Sequence, residues 1–270
     1  MSARLQQNTS GEKCFPLPES LFIPGFLRRP LERILCLDRA ERDCLALRSA
    51  PGLEAGLSPL LRARGIDPAV ARQPTVALPA KGPLLITSNH PTGILDGTLL
   101  MSALLNHRND VFVVANRMLK KVPHLAPHLI PVEKSGGRSA ALQTLRQIRK
   151  AWQANACVVL FPSGTVAHWQ FAVRAVADAP ASESVPRLAA KQNIPHFRAR
   201  LFLENPLWFH CAGAFSRLAR TALLMRAFYT GPRVLQMPPL RFDPVGLDRP
   251  LSKPCMPVSR TADIAETTTR

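Results

Sequence analysis

The chain has 270 residues, of which 46% are hydrophobic, so it can bury a sizeable core and does not have the composition of a disordered protein. Lys and Arg outnumber Asp and Glu by 35 to 18, a formal net charge of +17. Such a surface attracts polyanions such as nucleic acid, anionic lipid headgroups or acidic proteins. The aromatic content of 6% disfavours a single-stranded nucleic-acid binder, which needs stacking platforms beside its cations.

The cysteines and the apolar runs indicate where the chain works. No pair of cysteines has the Cys-x-x-Cys spacing of a metal or redox site, which favours a reduced, cytosolic setting. The first fifteen residues lack the basic start and apolar run of a signal peptide, and no stretch approaches the roughly 18 apolar residues of a spanning helix. We therefore expect a cytoplasmic protein whose membrane contact is peripheral, on the inner face. The cysteines are Cys14, Cys36, Cys44, Cys157, Cys211 and Cys255.

Residues 1–80 are predicted to form an N-terminal helical region and a linker. The segment RRPLERILCLDRAERDCLAL places leucines and isoleucine among charges at helical spacing, so it is predicted to be amphipathic. It is interpreted as a helix packed on the main domain, with a helix on a membrane surface as the alternative. QPTVALPAKGP is then a linker that ends at Pro83. The apolar positions are Leu31, Ile34, Leu35, Leu37 and Leu45.

Residues 81–230 are predicted to form one α/β domain. LLITS (84–88), VFVVA (111–115) and CVVLF (157–161) are short apolar runs separated by helix-sized intervals, and IPHFRARLF (194–202) is a candidate further strand. The interval before CVVLF carries an apolar helical stripe. This alternation predicts a mostly buried sheet flanked by helices. The stripe consists of Leu142, Leu145, Ile148 and Trp152.

Residues 231–270 are predicted to be an irregular, proline-rich tail. Seven prolines lie within about forty residues after Gly231, and no helical or strand period survives among them.

ITSNHPTGILDG (86–97) is the most informative stretch. His90 lies two residues beyond a predicted strand, and ligand sites in open α/β sheets gather beyond the carboxyl ends of strands. Imidazole can take a proton from a hydroxyl near neutral pH, and a carboxylate on its other nitrogen fixes the tautomer and stabilises the imidazolium. Asp96 supplies such a carboxylate.

The spacing of His90 and Asp96 leaves two interpretations open. Residues six apart on a straight helix lie about 240° apart around its axis, so the pair can meet only if the chain bends. Pro91 and Gly93 permit such a turn. Asp96 is otherwise a cap on a following helix, and His90 is then an ordinary loop histidine.

Four segments resemble the sequence blocks of the glycerolipid acyltransferase superfamily, in particular its haemolysin-like bacterial branch. NHPTGILDG (89–97) resembles the first block, which in that branch reads Asn-His-Pro-x-Gly-x-x-Asp-Gly. IPVEK (130–134) resembles the second block, FPSGT (161–165) the third and IPHFRARLF the fourth. The blocks occur in the family's order and cover about residues 84–202.

The resemblance implies transfer of a fatty acyl group from a thioester of acyl carrier protein or coenzyme A to a lipid hydroxyl, with no further cofactor. It implies that His90 is the general base and Asp96 its partner. Backbone N–H groups near Gly93 or Gly164 are candidate donors to the oxyanion. The residues that the resemblance implies for substrate binding are Asn89, Gly93, Arg117, Lys134, Ser163, Gly164 and Thr165.

The third block departs from the family's Phe-Pro-Glu-Gly-Thr-Arg. Ser163 stands in place of the Glu and Val166 in place of the Arg, and these charged residues are associated with a phosphorylated glycerol acceptor. Phosphate needs Arg or Lys forks. We therefore expect an acceptor without phosphate, such as lyso-ornithine lipid. Glycerol 3-phosphate and 1-acylglycerol 3-phosphate remain the alternative acceptors, with Arg117 and Lys134 as their anion contacts.

Three other functions are alternatives. His124 and His128 have the spacing of two zinc ligands, but Pro127 lies between them and no Glu follows His124, so a zinc hydrolase is disfavoured. A basic nucleic-acid-binding module would use a patch of lysines and arginines, but it leaves NHPTGILDG unexplained. A catalytically inactive scaffold is the third. The patch consists of Lys120, Lys121, Arg146, Arg149 and Lys150.

Overall fold

A computed structural model of the chain describes residues 13–17, 22–71, 77–133, 136–215, 217–231 and 240–245. Its centre is a six-stranded sheet in the order β3-β2-β4-β1-β7-β8, in which β8 alone runs antiparallel to its neighbour. A separate two-stranded hairpin contains β5 and β6. The strands are β1 (Leu84–Ser88), β2 (Val111–Asn116), β3 (Leu129–Val132), β4 (Cys157–Leu160), β5 (His168–Gln170), β6 (Ala175–Ala177), β7 (His196–Arg200) and β8 (Arg241–Pro244).

Nine helices are described. The helices are α1 (Gly25–Ile34), α2 (Leu37–Arg48), α3 (Leu53–Ala63), α4 (Pro68–Ala71), α5 (Ile94–Leu105), α6 (Gly137–Gln153), α7 (Ser184–Lys191), α8 (Leu207–Phe215) and α9 (Arg217–Thr230). No helix within the described ranges is both long and apolar enough to cross a membrane.

Both faces of the sheet are covered, as near-continuous apolar strands require. Leu84 and Ile86 of β1 pack with α3, α5 and α9 on one face, whereas Leu85 packs with α6 and α7 on the other. Every residue of β1 is buried. Successive side chains of a strand point to opposite faces, so this strand stabilises two apolar layers at once. The predicted α/β fold with a buried sheet between helices is confirmed.

The predicted stripe of α6 is buried only in its second half. Ile148 and Trp152 are fully buried, Leu145 is half-buried, and Leu142 is exposed. The indole N–H of Trp152 donates to the Leu84 carbonyl at 3.2 Å, which fixes α6 on the central strand.

The amphipathic segment predicted near residues 28–47 is two helices rather than one. The helix is interrupted at Cys36, because the φ of this residue is 58°, in the left-handed region. Helix α1 therefore ends at Ile34, and α2 begins at Leu37. Helix α2 buries Ala40, Cys44 and Leu47 against the rest of the molecule, but no residue of α1 is fully buried.

The proline-rich tail is not irregular throughout. Residues 241–244 form β8, which pairs with β7, and Phe242 is completely buried in the core. Apart from β8, the structure describes only residues 231, 240 and 245 of the predicted tail. The division at residues 80 and 230 remains a prediction, and the strand shows that part of the segment after 230 completes the sheet.

The parallel strands place the candidate functional residues at one edge of the sheet. β1, β2, β3 and β4 all end there, because they run in the same direction. β4 lies between β1 and β2, so the loops that follow these three strands are neighbours.

Candidate acid–base site

His90 lies in the loop that follows β1 and contacts the first residue after β4. It follows β1 by two residues, and its imidazole stacks on the ring of Phe161, the first residue after β4, with 4.1 Å between the ring centroids. Because β1 and β4 are hydrogen-bonded neighbours, their carboxyl ends bring these two rings together. Phe161 is buried, so the imidazole lies on an apolar surface that restricts its orientation.

The structure brings His90 and Asp96 together. The His90 Nδ1 atom lies 2.9 Å from Asp96 Oδ2, and the Asp96 side chain is completely buried while that of His90 is 17% exposed. The geometry does not meet that of a hydrogen bond, so this is a close polar contact. With Nδ1 beside Asp96, Nε2 is the imidazole nitrogen left to meet a substrate.

Asp96 also caps its own helix. Its carboxylate accepts hydrogen bonds from the backbone N–H of Thr92 at 2.9 Å, from the Thr92 hydroxyl and from the Gly93 N–H at 2.7 Å. Asp96 is the third residue of α5, where a carboxylate reaching back to the N-cap stabilises the first turn. The two interpretations of this aspartate are therefore compatible, because one carboxylate does both.

Gly93 allows the turn between His90 and Asp96. Its φ of +88° disfavours any side chain, and a Cβ there would lie 2.7 Å from Leu224 Cδ1 and 3.0 Å from Val166 Cγ2. The N–H of Gly93 is used by Asp96, and that of Gly164 donates to the Phe161 carbonyl at 3.0 Å. The N–H groups of these two glycines are thus engaged within the loops, and oxyanion donors near them stay a prediction.

Asn89, a predicted substrate-binding residue, joins two strand ends. Its side-chain nitrogen donates to the Leu201 carbonyl, and its side-chain oxygen accepts from the Leu201 N–H, both at 2.8 Å. This pair of bonds ties the end of β1 to the chain that leaves β7. The amide of Asn89 therefore positions the loop that carries His90.

The third block forms a tight turn beyond β4. The Ser163 hydroxyl donates to the Thr165 carbonyl at 2.9 Å, and Gly164, with φ of +61°, is at the exposed corner. The Thr165 hydroxyl oxygen is buried and has no hydrogen-bond partner among the described residues. Ser163 and Gly164 thus shape the turn, and Thr165 keeps a polar atom available.

Arg117 lies at the same edge of the sheet, beyond β2, about 10 Å from the end of β1 by the spacing of strands. It lines an open cleft with Lys120, Lys121 and Glu133. Its guanidinium lies 3.3 Å from the Glu133 carboxylate, and both side chains are exposed. Lys134 lies outside the described residues.

Asp178 is a residue of this site that no sequence pattern indicated. Its carboxylate accepts the backbone N–H of His90, at 3.1 Å to the nearer oxygen. Burial raises the pKa of Asp178, and the His90 N–H opposes that shift. The residue comes directly after β6, and a lone aspartate after a short apolar run carries no signal in the sequence.

His128, one of the two histidines with the spacing of zinc ligands, is held by the backbone. The His128 Nδ1 atom lies 2.9 Å from the Val111 carbonyl oxygen, so the backbone holds that ring. No group of three or more His, Cys, Asp or Glu residues with a metal-binding arrangement occurs within the described ranges.

A histidine beside a buried carboxylate, beyond the carboxyl ends of parallel strands, defines the molecule as an α/β protein with a candidate acid–base site. A family model described as acyltransferase matches residues 23–197, well over half of the chain. The chain belongs to this acyltransferase family, and the family predicted from the four blocks is confirmed.

A characterised relative gives a finer comparison. A lyso-glycine lipid O-acyltransferase from Phocaeicola vulgatus is 32% identical to this chain over 88 residues. The match covers 32% of this chain and 31% of the relative, so it spans about a third of the relative's length. No solved structure matches the chain.

Proposed function

We propose that this protein transfers a fatty acyl group from an acyl thioester to the hydroxyl of a lyso-lipid that carries an amino-acid headgroup. One contact supports this reaction above all: His90 Nδ1 lies 2.9 Å from the buried Asp96 carboxylate, which leaves Nε2 to act on a substrate. Family membership supplies the acyl-transfer chemistry, and the relative's name supplies an acceptor class.

In the proposed mechanism His90 acts as general base. Nε2 takes the proton from the acceptor hydroxyl while the hydroxyl oxygen attacks the thioester carbonyl. The tetrahedral intermediate then expels the thiolate of the donor. The imidazolium gives the proton to the thiolate sulfur, so an ester and a free thiol are formed. Asp96 stabilises the imidazolium while it exists. No acyl-enzyme is required, so a nucleophilic serine or cysteine is not needed.

The third block supports an acceptor without phosphate. Where the family has Glu and Arg, Ser163 closes the turn on the Thr165 carbonyl and Val166 packs towards Gly93. Neither side chain can offer the cationic fork that a phosphate needs. Lyso-ornithine lipid remains our named acceptor, and the relative acts on a lyso-glycine lipid by name, so amino-acid lipids are the proposed class.

Either acyl carrier protein or coenzyme A is the proposed donor, because both present the acyl chain on a phosphate-bearing arm. The cleft with Arg117, Lys120 and Lys121 is basic and lies at the same edge of the sheet as His90. It is a candidate contact for that phosphate.

We also propose that the enzyme works at the inner face of the membrane. A net charge of +17 favours an anionic surface. If so, vesicles containing anionic lipid should remove the protein from solution, and moderate salt should release much of it, because salt screens exposed charges. Retention on vesicles that salt leaves unchanged would argue against an electrostatic contact.

The reaction is tested with labelled acyl-acyl carrier protein and labelled acyl-coenzyme A, each supplied separately. Each donor is offered with lyso-ornithine lipid, lyso-glycine lipid, lysophosphatidate and glycerol 3-phosphate, and the product is identified by mass. His90→Ala should lower turnover by about 10²–10⁴-fold. His107→Ala is the matched control, because His107 is an exposed histidine beyond the end of α5 and should keep wild-type turnover.

The possible outcomes separate the parts of the proposal. Preference for lysophosphatidate would overturn the phosphate-free acceptor and keep the acyl transfer. Wild-type turnover by folded His90→Ala would overturn the role of His90. If folded wild-type protein acylates no acceptor from either donor, the proposed acyltransferase activity is contradicted and an inactive scaffold is favoured.

A further inference from the structure

The β5–β6 hairpin exposes apolar side chains beside the candidate site. We define the apolar hairpin as residues 168–177, in which β5 and β6 form a two-stranded sheet apart from the main one. Trp169 is 36% exposed, Phe171 65% and Val173 59%, and Arg174 is exposed in the same turn. Clustered exposed apolar side chains mark an interaction surface.

Both ends of the apolar hairpin are hydrogen-bonded to His90. The Ala167 N–H, just before β5, donates to the His90 carbonyl at 2.8 Å. The carboxylate of Asp178, just after β6, accepts the His90 N–H at 3.1 Å. Whatever surface the hairpin tip contacts is therefore connected to the backbone of His90 by two short links.

Helix α8 enlarges this apolar surface. It packs against β5, and its first residues, Leu207 and Trp208, are exposed. The Arg226 guanidinium lies 5.7 Å from the centre of the Trp208 ring and donates to the carbonyl of Ile34 at the end of α1. Trp208 thus has a cation on its face and lies near a helix in which no residue is fully buried.

We propose that the apolar hairpin inserts into the anionic leaflet of a phospholipid bilayer and so holds His90 at the lipid surface. Tryptophan is favoured at the headgroup level, phenylalanine and valine below it, and arginine at the phosphates, and the hairpin has all of these within six residues, 169–174. The net charge of +17 complements an anionic leaflet. An acidic carrier protein is a poorer fit, because the exposed side chains Trp169, Phe171 and Val173 are apolar and Arg174 is the only lysine or arginine among residues 168–177.

This inference deepens the proposed function and rests on it for its purpose: an acceptor lyso-lipid lies in the leaflet, with its hydroxyl near the headgroups. Insertion would bring that hydroxyl to His90 without extracting the lipid from the membrane. The inference identifies the docking surface, whereas the net charge alone gives only attraction.

The test measures binding to vesicles of phosphatidylcholine and phosphatidylglycerol by sedimentation. Phe171→Ser should weaken binding about tenfold or more, since burial of a phenylalanine side chain in an apolar phase favours binding by that order. Val173→Ser should give a smaller loss in the same direction. Leu142→Ser is the matched control, because Leu142 is 46% exposed on α6, away from the hairpin, and should bind like wild type.

A second measurement separates docking from chemistry. Turnover of a water-soluble, short-chain hydroxyl acceptor should be equal in wild type and Phe171→Ser, whereas turnover of vesicle-embedded lyso-lipid should fall with binding. Equal vesicle binding by Phe171→Ser and Leu142→Ser would overturn the inference. Loss of turnover on the soluble acceptor would also overturn it, since the hairpin would then act on His90 itself.

Two further results remain distinguishable. If the wild type acylates nothing but Phe171→Ser still loses vesicle binding, the proposed function fails and the docking surface stands. If sedimentation instead shows a wild-type dimer that Phe171→Ser dissociates, with vesicle binding unchanged, the surface is an interface between two copies and the inference is wrong.

Discussion

Replacement of Asp96 by Asn should separate the two roles of this carboxylate. The three donors of its own turn surround it, Thr92 through N–H and hydroxyl and Gly93 through N–H, and His90 Nδ1 lies 2.9 Å away. An Asn oxygen can keep both N–H bonds, and its NH₂ group can donate to the Thr92 hydroxyl. The fold should therefore survive while the negative charge beside His90 disappears.

The loss of activity follows from the charge. An opposite charge about 4 Å away is worth about 4 kcal/mol at an effective dielectric constant of about 20, which corresponds to roughly 10³-fold in the rate if His90 becomes charged in the transition state. The loss of stability is smaller. The three hydrogen bonds to a charged acceptor become neutral ones, at about 1 kcal/mol each, so the free energy of unfolding should fall by about 3 kcal/mol.

Thr92→Val is the matched control. It removes one hydroxyl bond to the buried Asp96 carboxylate and should lower the free energy of unfolding by about 1.5–3 kcal/mol, but it keeps the charge beside His90. The assay compares urea unfolding and turnover of both variants at a temperature where both are folded. If Asp96→Asn turned over as fast as Thr92→Val, Asp96 would be a helix cap only.

Two further predictions concern stability. Burial, aided by the charge of Arg198, lowers the pKa of His196 to about 4, so stability should be intact above about pH 6.5 and fall by at most about 3 kcal/mol as the pH drops to 4. In His196→Gln, the free energy of unfolding measured in urea should depend less on pH across that window. A pH dependence as steep as that of the wild type would contradict the prediction. Gly93→Ala should lower the free energy of unfolding by about 1–3 kcal/mol because the φ at this position is +88°. The added Cβ also meets the Leu224 side chain, so the double variant with Leu224→Ala should recover part of the loss. A Gly93→Ala variant as stable as the wild type would refute this.

The central strands were predictable because their sequences are short, mostly apolar runs. LLITS is buried throughout and forms β1 at the predicted residues, and CVVLF forms β4 with Phe161 just beyond it. Such runs have few alternatives once helices separate them, since only a sheet with both faces covered satisfies them. The meeting of His90 and Asp96 was only one of two open interpretations, because Pro91 and Gly93 permit the turn that joins them but do not require it.

Other elements carry no periodic pattern. The edge strands β3 and β8 have four residues each and contain prolines, Pro131 and Pro244, which usually argue against a strand. They form because a long-range neighbour supplies hydrogen bonds, as β7 does for β8. The contact of Asp178 with His90 joins residues 88 positions apart, and local sequence does not encode such a distance.

Val166, which stands where the third sequence block of the family has Arg, lies against the loop of His90. Its methyl lies 3.0 Å from the position that a Gly93 Cβ would take, so the residue that replaces the family's Arg helps to enclose the turn between His90 and Asp96. An arginine at 166 would need to direct its guanidinium away from this apolar contact, out of the space that Leu224 and Gly93 share. Residue 166 therefore affects both the packing beside Gly93 and the charge that the site can offer to an acceptor.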